Sequence, residues 1–162
     1  MHASLVQREE EFILVYQKYV DMVYRICFLY FKNHSDTEDV VQNVFLKLFT
    51  TWPLFKDENH RKAWLIVTAS NMCKNNVKQW WKQKVTVGEF DIATHEKKDE
   101  TLETLLSLPK KYKTVLYCYY YEGYHTSEIA NILHMKEATV RSYLHRGRSY
   151  LRELLEGEKY EE

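Results

Sequence analysis

From Glu9 to Lys32 the apolar residues Phe12, Tyr16, Tyr19, Val23, Ile26 and Tyr30 recur at three- and four-residue intervals. That spacing predicts a helix with one buried face. Asn33-His34 interrupts it, and Ser35 starts the next helix. Ser35 with Glu38 three residues on forms a capping-box pattern, and Asp36 puts negative charge in the first turn. Behind this start, Val40, Val41, Val44, Phe45, Leu48 and Phe49 make one apolar stripe, leaving Asp39, Gln42, Asn43 and Lys47 on the polar side. Pro53 ends the helix, and Pro53–His60 reads as a loop. A third helix is predicted from about Arg61 to Lys84, with Trp64, Leu65, Thr68 and Met72 facing inward.

Periodicity is lost over Val85–Glu100, where Gly88 and charged residues gather. A linker of roughly 15 residues at about 3.3 Å each spans up to about 50 Å. Beyond it Leu102–Leu108 predicts a short helix, and Pro109 opens the next in its first turn. That helix runs through Tyr112, Val115, Leu116 and Tyr119 to Glu122, where Gly123 ends it. Helices over 126–133 and 137–155 follow. The expected fold is all-α: two small helical domains, residues 1–85 and 102–156, joined by a flexible linker over 86–101 and followed by an acidic tail, 157–162.

Composition supports helices. Only four glycines and two prolines interrupt 162 residues, and hydrophobic residues make up 45%, enough for a core. The three cysteines, Cys27, Cys73 and Cys118, form no CxxC pair, which predicts reduced, partly buried thiols in a cytoplasmic protein. The polar, acidic start is no signal peptide, and no apolar run approaches the roughly 20 residues of a membrane span. Net charge is zero, but it is distributed in blocks. Residues 1–60 carry −3, 61–87 carry +6, 88–108 carry −4, 109–152 carry +5 and 153–162 carry −4. Two separated basic blocks suggest two contacts with a polyanion. A merely patchy surface is the alternative that the charge pattern alone leaves open.

The stretch Thr126–His145 fits a helix-turn-helix. Thr126 is a good N-cap, and Glu128 sits in the positively polarised first turn. Ile129, Leu133, Met135, Val140 and Tyr143 are apolar where two helices must hold together across a tight turn, and Ala130 is small where they approach. His134 stands at the turn position usually held by glycine, which predicts a left-handed backbone there. Lys136 is a weak N-cap for the second helix. That helix presents Glu137, Ala138, Arg141, Ser142 and His145 outward, with Arg146 and Arg148 beyond. Short residues for close approach and arginines for base edges or phosphates are what a recognition helix needs. The alternative is a helical hairpin with a solvated basic face.

The run Asp36-Thr-Glu-Asp-Val-Val-Gln-Asn-Val-Phe-Leu-Lys-Leu-Phe49 resembles the polymerase-binding segment of sigma region two. Trp64-Leu-Ile-Val-Thr-Ala-Ser-Asn71 resembles the segment that follows it in the same region. Leu108-Pro109, Glu122-Gly123, Glu128-Ile-Ala130, Thr139-Val140 and Arg146-Gly-Arg148 resemble region four. Both modules stand in order over about residues 10–155 with only a short linker, which resembles the extracytoplasmic-function (ECF) group of bacterial sigma factors. The resemblance implies promoter recognition, DNA melting and transcription initiation by a non-enzyme without cofactor, metal or small-molecule substrate. It implies that Asp39, Gln42 and Asn43 dock on the clamp helices of the largest subunit of core RNA polymerase, with the second module on the flap of the second subunit. It also implies that Phe55 and Lys56 line a pocket for a base flipped from the minus-ten element; the alternative is that Phe55 anchors the loop. Asn71, Lys74, Asn75 and Lys78 would track the same DNA, although the family often has an acidic residue at 75 and arginines at 78 and 79. Trp80 and Trp81 either stack on bases or pack the end of the domain. Lys136, Glu137, Ala138, Thr139, Arg141, Ser142, His145 and Arg146 would meet the minus-thirty-five element. An anti-sigma factor is a further implied partner.

Other classes find little in the sequence. Ser35, Asp36 and Glu38 are accounted for as a helix cap rather than a metal site, and His125, His134 and His145 lack ligand spacing. There is no glycine-rich phosphate loop or nucleophile motif. An autonomous regulator would account for the helix-turn-helix but not for the Asp39/Gln42 face together with Trp64…Asn71. A phage or plasmid sigma-like protein that binds polymerase without supporting initiation is a third reading.

Overall fold

The structure is a computed structural model that describes residues 4–83 and 100–160, with side chains for 4–76 and 100–157. Most of the expected linker, and the side chains of Lys78, Trp80 and Trp81, lie outside the described residues. Every described element is helical, as expected, and the chain divides into two units, Met1–Asp91 and Ile92–Glu162.

Unit 1 holds α1 (Leu5–Phe31), α2 (His34–Thr51) and α3 (Glu58–Gln83). α1 starts earlier than its apolar periodicity predicts. Ser4 and Gln7 form a capping box: the Ser4 hydroxyl accepts from Gln7 N–H and Gln7 Oε1 accepts from Ser4 N–H, both at 3.3 Å. α2 corrects the expected cap. Asn33, not Ser35, is the N-cap; its extended backbone aims Oδ1 at the Asp36 N–H, 2.8 Å away. Its Nδ2 reaches Phe31 O and Asp36 Oδ2, so one side chain closes the end of α1 and opens α2. Asp36 keeps its predicted place in the first turn. α3 begins at Glu58, earlier than predicted, because Asp57 Oδ1 accepts from the His60 N–H at 2.8 Å and caps it.

α1 packs against both α2 and α3. Val23, Ile26, Cys27 and Leu29 meet Val44 and Leu48 of α2 and Leu65, Ile66, Ala69 and Cys73 of α3 in a core closed to solvent. Burying each larger aliphatic side chain contributes about 1.5–3 kcal/mol. The core therefore fixes the facing of both outer helices.

Unit 2 holds α4 (Glu100–Leu106), α5 (Lys110–Tyr120), α6 (Thr126–Leu133) and α7 (Glu137–Tyr160). Pro109, expected inside the first turn, stands one residue before it as the N-cap of α5. That helix stops at Tyr120, short of Glu122, and Gly123 at φ +74° lets Tyr124 N–H return to Cys118 O at 3.0 Å. The expected Thr126 cap is corrected. His125 is the N-cap, and its N–H donates to Glu128 Oε1 at 3.1 Å. Thr126 is the first helical residue, and its hydroxyl turns instead to Glu137. His134 is left-handed (φ 54°, ψ 46°), as its position in the turn requires.

Ile129, Val140 and Leu144 pack with Val115, Leu116 and Tyr117. Gly147 sits where α7 meets α5: a Cβ there would stand 2.8 Å from both Leu116 methyl carbons. Lys113 is buried and donates to Leu106 O at the end of α4.

Candidate nucleic-acid interface

On α2 the core stripe faces inward and leaves Asp39, Gln42 and Asn43 exposed. Leu46 lies on the same side, a large apolar residue 59% exposed. On α3, Asn71 and Asn75 are exposed and Lys74 is half-buried. The two sets meet. An open groove between the helices is lined by Asn43, Leu46, Lys47 and Thr50 of α2 and by Met72, Asn75 and Asn76 of α3. Met72, expected in the core, is half-buried at this groove. Lys78 lies farther along α3, with its side chain outside the described residues.

The loop before α3 sorts its side chains into two sets. Leu54 is 94% exposed and Lys56 is exposed, whereas Phe55 turns inward. Its ring meets Trp64 edge-on at 5.9 Å and His60 at 5.3 Å, and the Arg61 guanidinium lies 5.4 Å from its centre. The Lys56 N–H donates to His60 Nδ1 at 3.1 Å, which ties the loop to the first turn of α3.

Arg61 is itself held. Nη1 donates to Glu58 Oε1 at 2.5 Å and Nη2 to Glu11 Oε1 at 2.9 Å, leaving the side chain 18% exposed. Tyr19 donates to the other oxygen of Glu58 at 2.7 Å, and Lys18 stands 3.6 Å from it. The Tyr19 hydrogen bond first, then the charges of Arg61 and Lys18, hold the Glu58 carboxyl below its ordinary range. At the end of α2, Trp52 is left-handed (φ 41°), and the Arg8 guanidinium lies 4.9 Å from its ring while donating to Phe49 O.

In unit 2, Lys136, Glu137, Ala138, Arg141, His145 and Arg146 are exposed, and Thr139 and Ser142 are half-buried. Residues 138, 141, 142 and 145 share one face by helical spacing. Glu137 Oε1 accepts from Arg141 Nη1 and from the Thr126 hydroxyl, each at 3.1 Å. Arg148 is exposed as expected, but its guanidinium lies over Tyr119 and Tyr120 of α5, and its Nε donates to the Tyr120 hydroxyl. No cluster of three metal-ligating side chains occurs among the described residues.

Two family patterns match the chain, Sigma-70 region 2 over residues 15–83 and Sigma-70, region 4 over residues 98–151. The chain is 25% identical over 169 residues to the ECF RNA polymerase sigma factor SigX of Bacillus subtilis, covering 91% of this chain and 85% of SigX. It is 24% identical to SigW of the same organism, with coverages of 91% and 90%. The chain belongs to the ECF group of RNA polymerase sigma factors.

The fold of this sigma factor is shared with a solved RpoE, in complex with the anti-sigma factor NepR from Bartonella quintana. The TM-score is 0.70 and the identity 18%, over 91% of this chain and 98% of that one. As a sigma factor the chain acts in promoter recognition and transcription initiation, and the regulator reading is not favoured. Sequence reasoning missed the network of Arg8, Glu11, Tyr19, Glu58 and Arg61 because, apart from the neighbouring Glu58–Arg61 pair, its partners lie far apart along the chain. It missed Leu46 because a lone leucine on a polar face breaks no pattern.

Proposed function

We propose that unit 1 docks on the clamp helices of core RNA polymerase through Asp39, Gln42 and Asn43 and engages the minus-ten element. The minus-ten contacts are Phe55, Lys56, Asn71, Lys74, Asn75 and Lys78. Unit 2 reads the minus-thirty-five element through Lys136, Glu137, Ala138, Thr139, Arg141, Ser142, His145 and Arg146, and meets the polymerase flap. The working domains are 1–85 and 102–156, with 86–101 as the linker. The polymerase performs the chemistry, in the cytoplasm, and this chain contributes promoter recognition and strand opening. No described helix is long and apolar enough to cross a membrane. Kinship with an RpoE solved with NepR supports an anti-sigma factor as a further partner.

The observation that carries this reading is the groove shared by Asn43 and Asn75. A polymerase helix seated on the α2 edge would leave the α3 edge alongside it, open to a DNA strand. Opening that strand costs unstacking energy, which hydrogen bonds and contacts to the exposed base offset. In a pull-down with core polymerase, Asp39→Ala with Gln42→Ala should reduce retention about tenfold or more while helical content stays unchanged. Unchanged retention would remove the α2 face from the docking site.

A further inference from the structure

Phe55 is flanked by three side chains of α3: Trp64, His60 and Arg61. Trp64 and His60 reach it from α3, the helix that the loop leads into. Arg61 is different, because one edge of its guanidinium is fixed by Glu11 of α1, 50 positions earlier. A guanidinium donates along its edges and stacks through its faces, so an edge held by carboxylates leaves a face free for an aromatic ring. Glu58 takes Nη1, Glu11 takes Nη2 and Phe55 lies near the charge centre. With both carboxylates in place, Arg61 is confined and the Phe55 ring has a wall on that side. Removing Glu11 leaves Nη2 unpaired and allows the guanidinium to swing toward Glu58 and water.

We infer that Glu11, on α1 and outside both sets of DNA-contacting residues, is a positioning residue for strand opening, acting through Arg61 on Phe55. This rests on the reading that the loop before α3 takes part in opening the minus-ten element. Phe55, part-exposed, then seats the loop on α3 while keeping its open side for the strand, beside the exposed Leu54 and Lys56. The chain of contacts couples the first turns of α1 to the presentation of that loop. Glu11 itself touches no nucleic acid in this scheme, so its effect is confined to how often the loop is correctly posed.

The test uses the full chain with core polymerase on one promoter, as duplex and as a pre-melted bubble. Glu11→Ala should slow open-complex formation on the duplex about three- to fivefold. Core binding should be unchanged and the bubble template served at the wild-type rate. Glu11→Gln, which keeps an acceptor for Nη2, should recover part of the rate. Phe55→Ala on the same templates is the control for the loop itself. If Phe55→Ala slows opening but Glu11→Ala does not, the link through α1 is overturned and the loop reading stands. If neither slows opening, the loop reading fails and the inference fails with it. Equal slowing on duplex and bubble by Glu11→Ala would also overturn it, since a positioning role in opening predicts rescue.

Discussion

In unit 1, Phe55 meets His60, Arg61 and Trp64 close by in sequence, but the contacts that join the surrounding helices come from distant parts of the chain. Arg61 pairs with Glu11 50 positions away, Tyr19 with Glu58 39 away, and Arg8 with Phe49 41 away. In unit 2, Arg141 is steered by Glu137 four positions before it, and Glu137 by Thr126 eleven before that. The first arrangement exists only once the three-helix core has formed. The second is almost complete within one helical hairpin. A loop of irregular backbone has few hydrogen bonds of its own to fix it, so the surrounding helices must supply them. A reading helix fixes its own spacing and needs only to be seated.

The largest expected effect attacks that seating. Gly147→Val should lower the stability of unit 2 by about 3 kcal/mol, because its branched side chain would overlap the fully buried Leu116. Heat denaturation followed residue by residue by NMR should show unit 2 melting earlier and unit 1 unchanged. Simultaneous melting of both would mean that the two units do not hold themselves together separately.

A smaller effect probes the local steering in unit 2. Arg141→Ala should reduce discrimination among upstream promoter sequences by about 1–3 kcal/mol if the guanidinium pairs with a base edge. Selection from a randomised minus-thirty-five library reads this directly. A profile identical to wild type would make Arg141 a phosphate contact and leave base reading to its neighbours.

The smallest effect belongs to the long-range network of unit 1. The Glu58 carboxyl is lowered from an ordinary value of 4.5, so the folded state binds fewer protons there than the unfolded chain. Its contribution is fully present above about pH 4.5 and is lost as pH falls through the lowered value. Glu58 is half-exposed, so solvent screens much of the effect. Glu58→Gln should slightly flatten the acid limb of a urea-unfolding series for unit 1. An acid limb unchanged by Glu58→Gln would show that the network adds nothing to stability.

The same contrast explains what the sequence made legible. The helix-turn-helix was readable because its constraints are local: apolar spacing at Ile129, Leu133 and Val140, a small Ala130, and a left-handed His134. The polar face of α2 was readable for the same reason, since Asp39, Gln42 and Asn43 are what remains when the apolar stripe is subtracted. Helix starts were less legible because capping depends on backbone direction as well as residue type. Ser35 matched the pattern, but Asn33 had the extended backbone that lets a side chain reach back. The clasp on Arg61 was only half legible: Glu58 lies three positions before it on the same helix, but Glu11 joins them only through the packing of α1 on α3. The meeting of Asn43 and Asn75 was hidden likewise: each helix shows its own polar edge, and only their packing makes a groove.

All three thiols are buried, with Cys27 and Cys73 in unit 1 and Cys118 in unit 2. Each unit thus contains a silent clock for its own opening, since a thiol out of solvent reacts only when its surroundings transiently part. Alkylation followed by mass spectrometry would time the two units separately in one sample, with no engineered label. Comparing those times for the free chain and for the chain bound to polymerase would show which half the enzyme clamps.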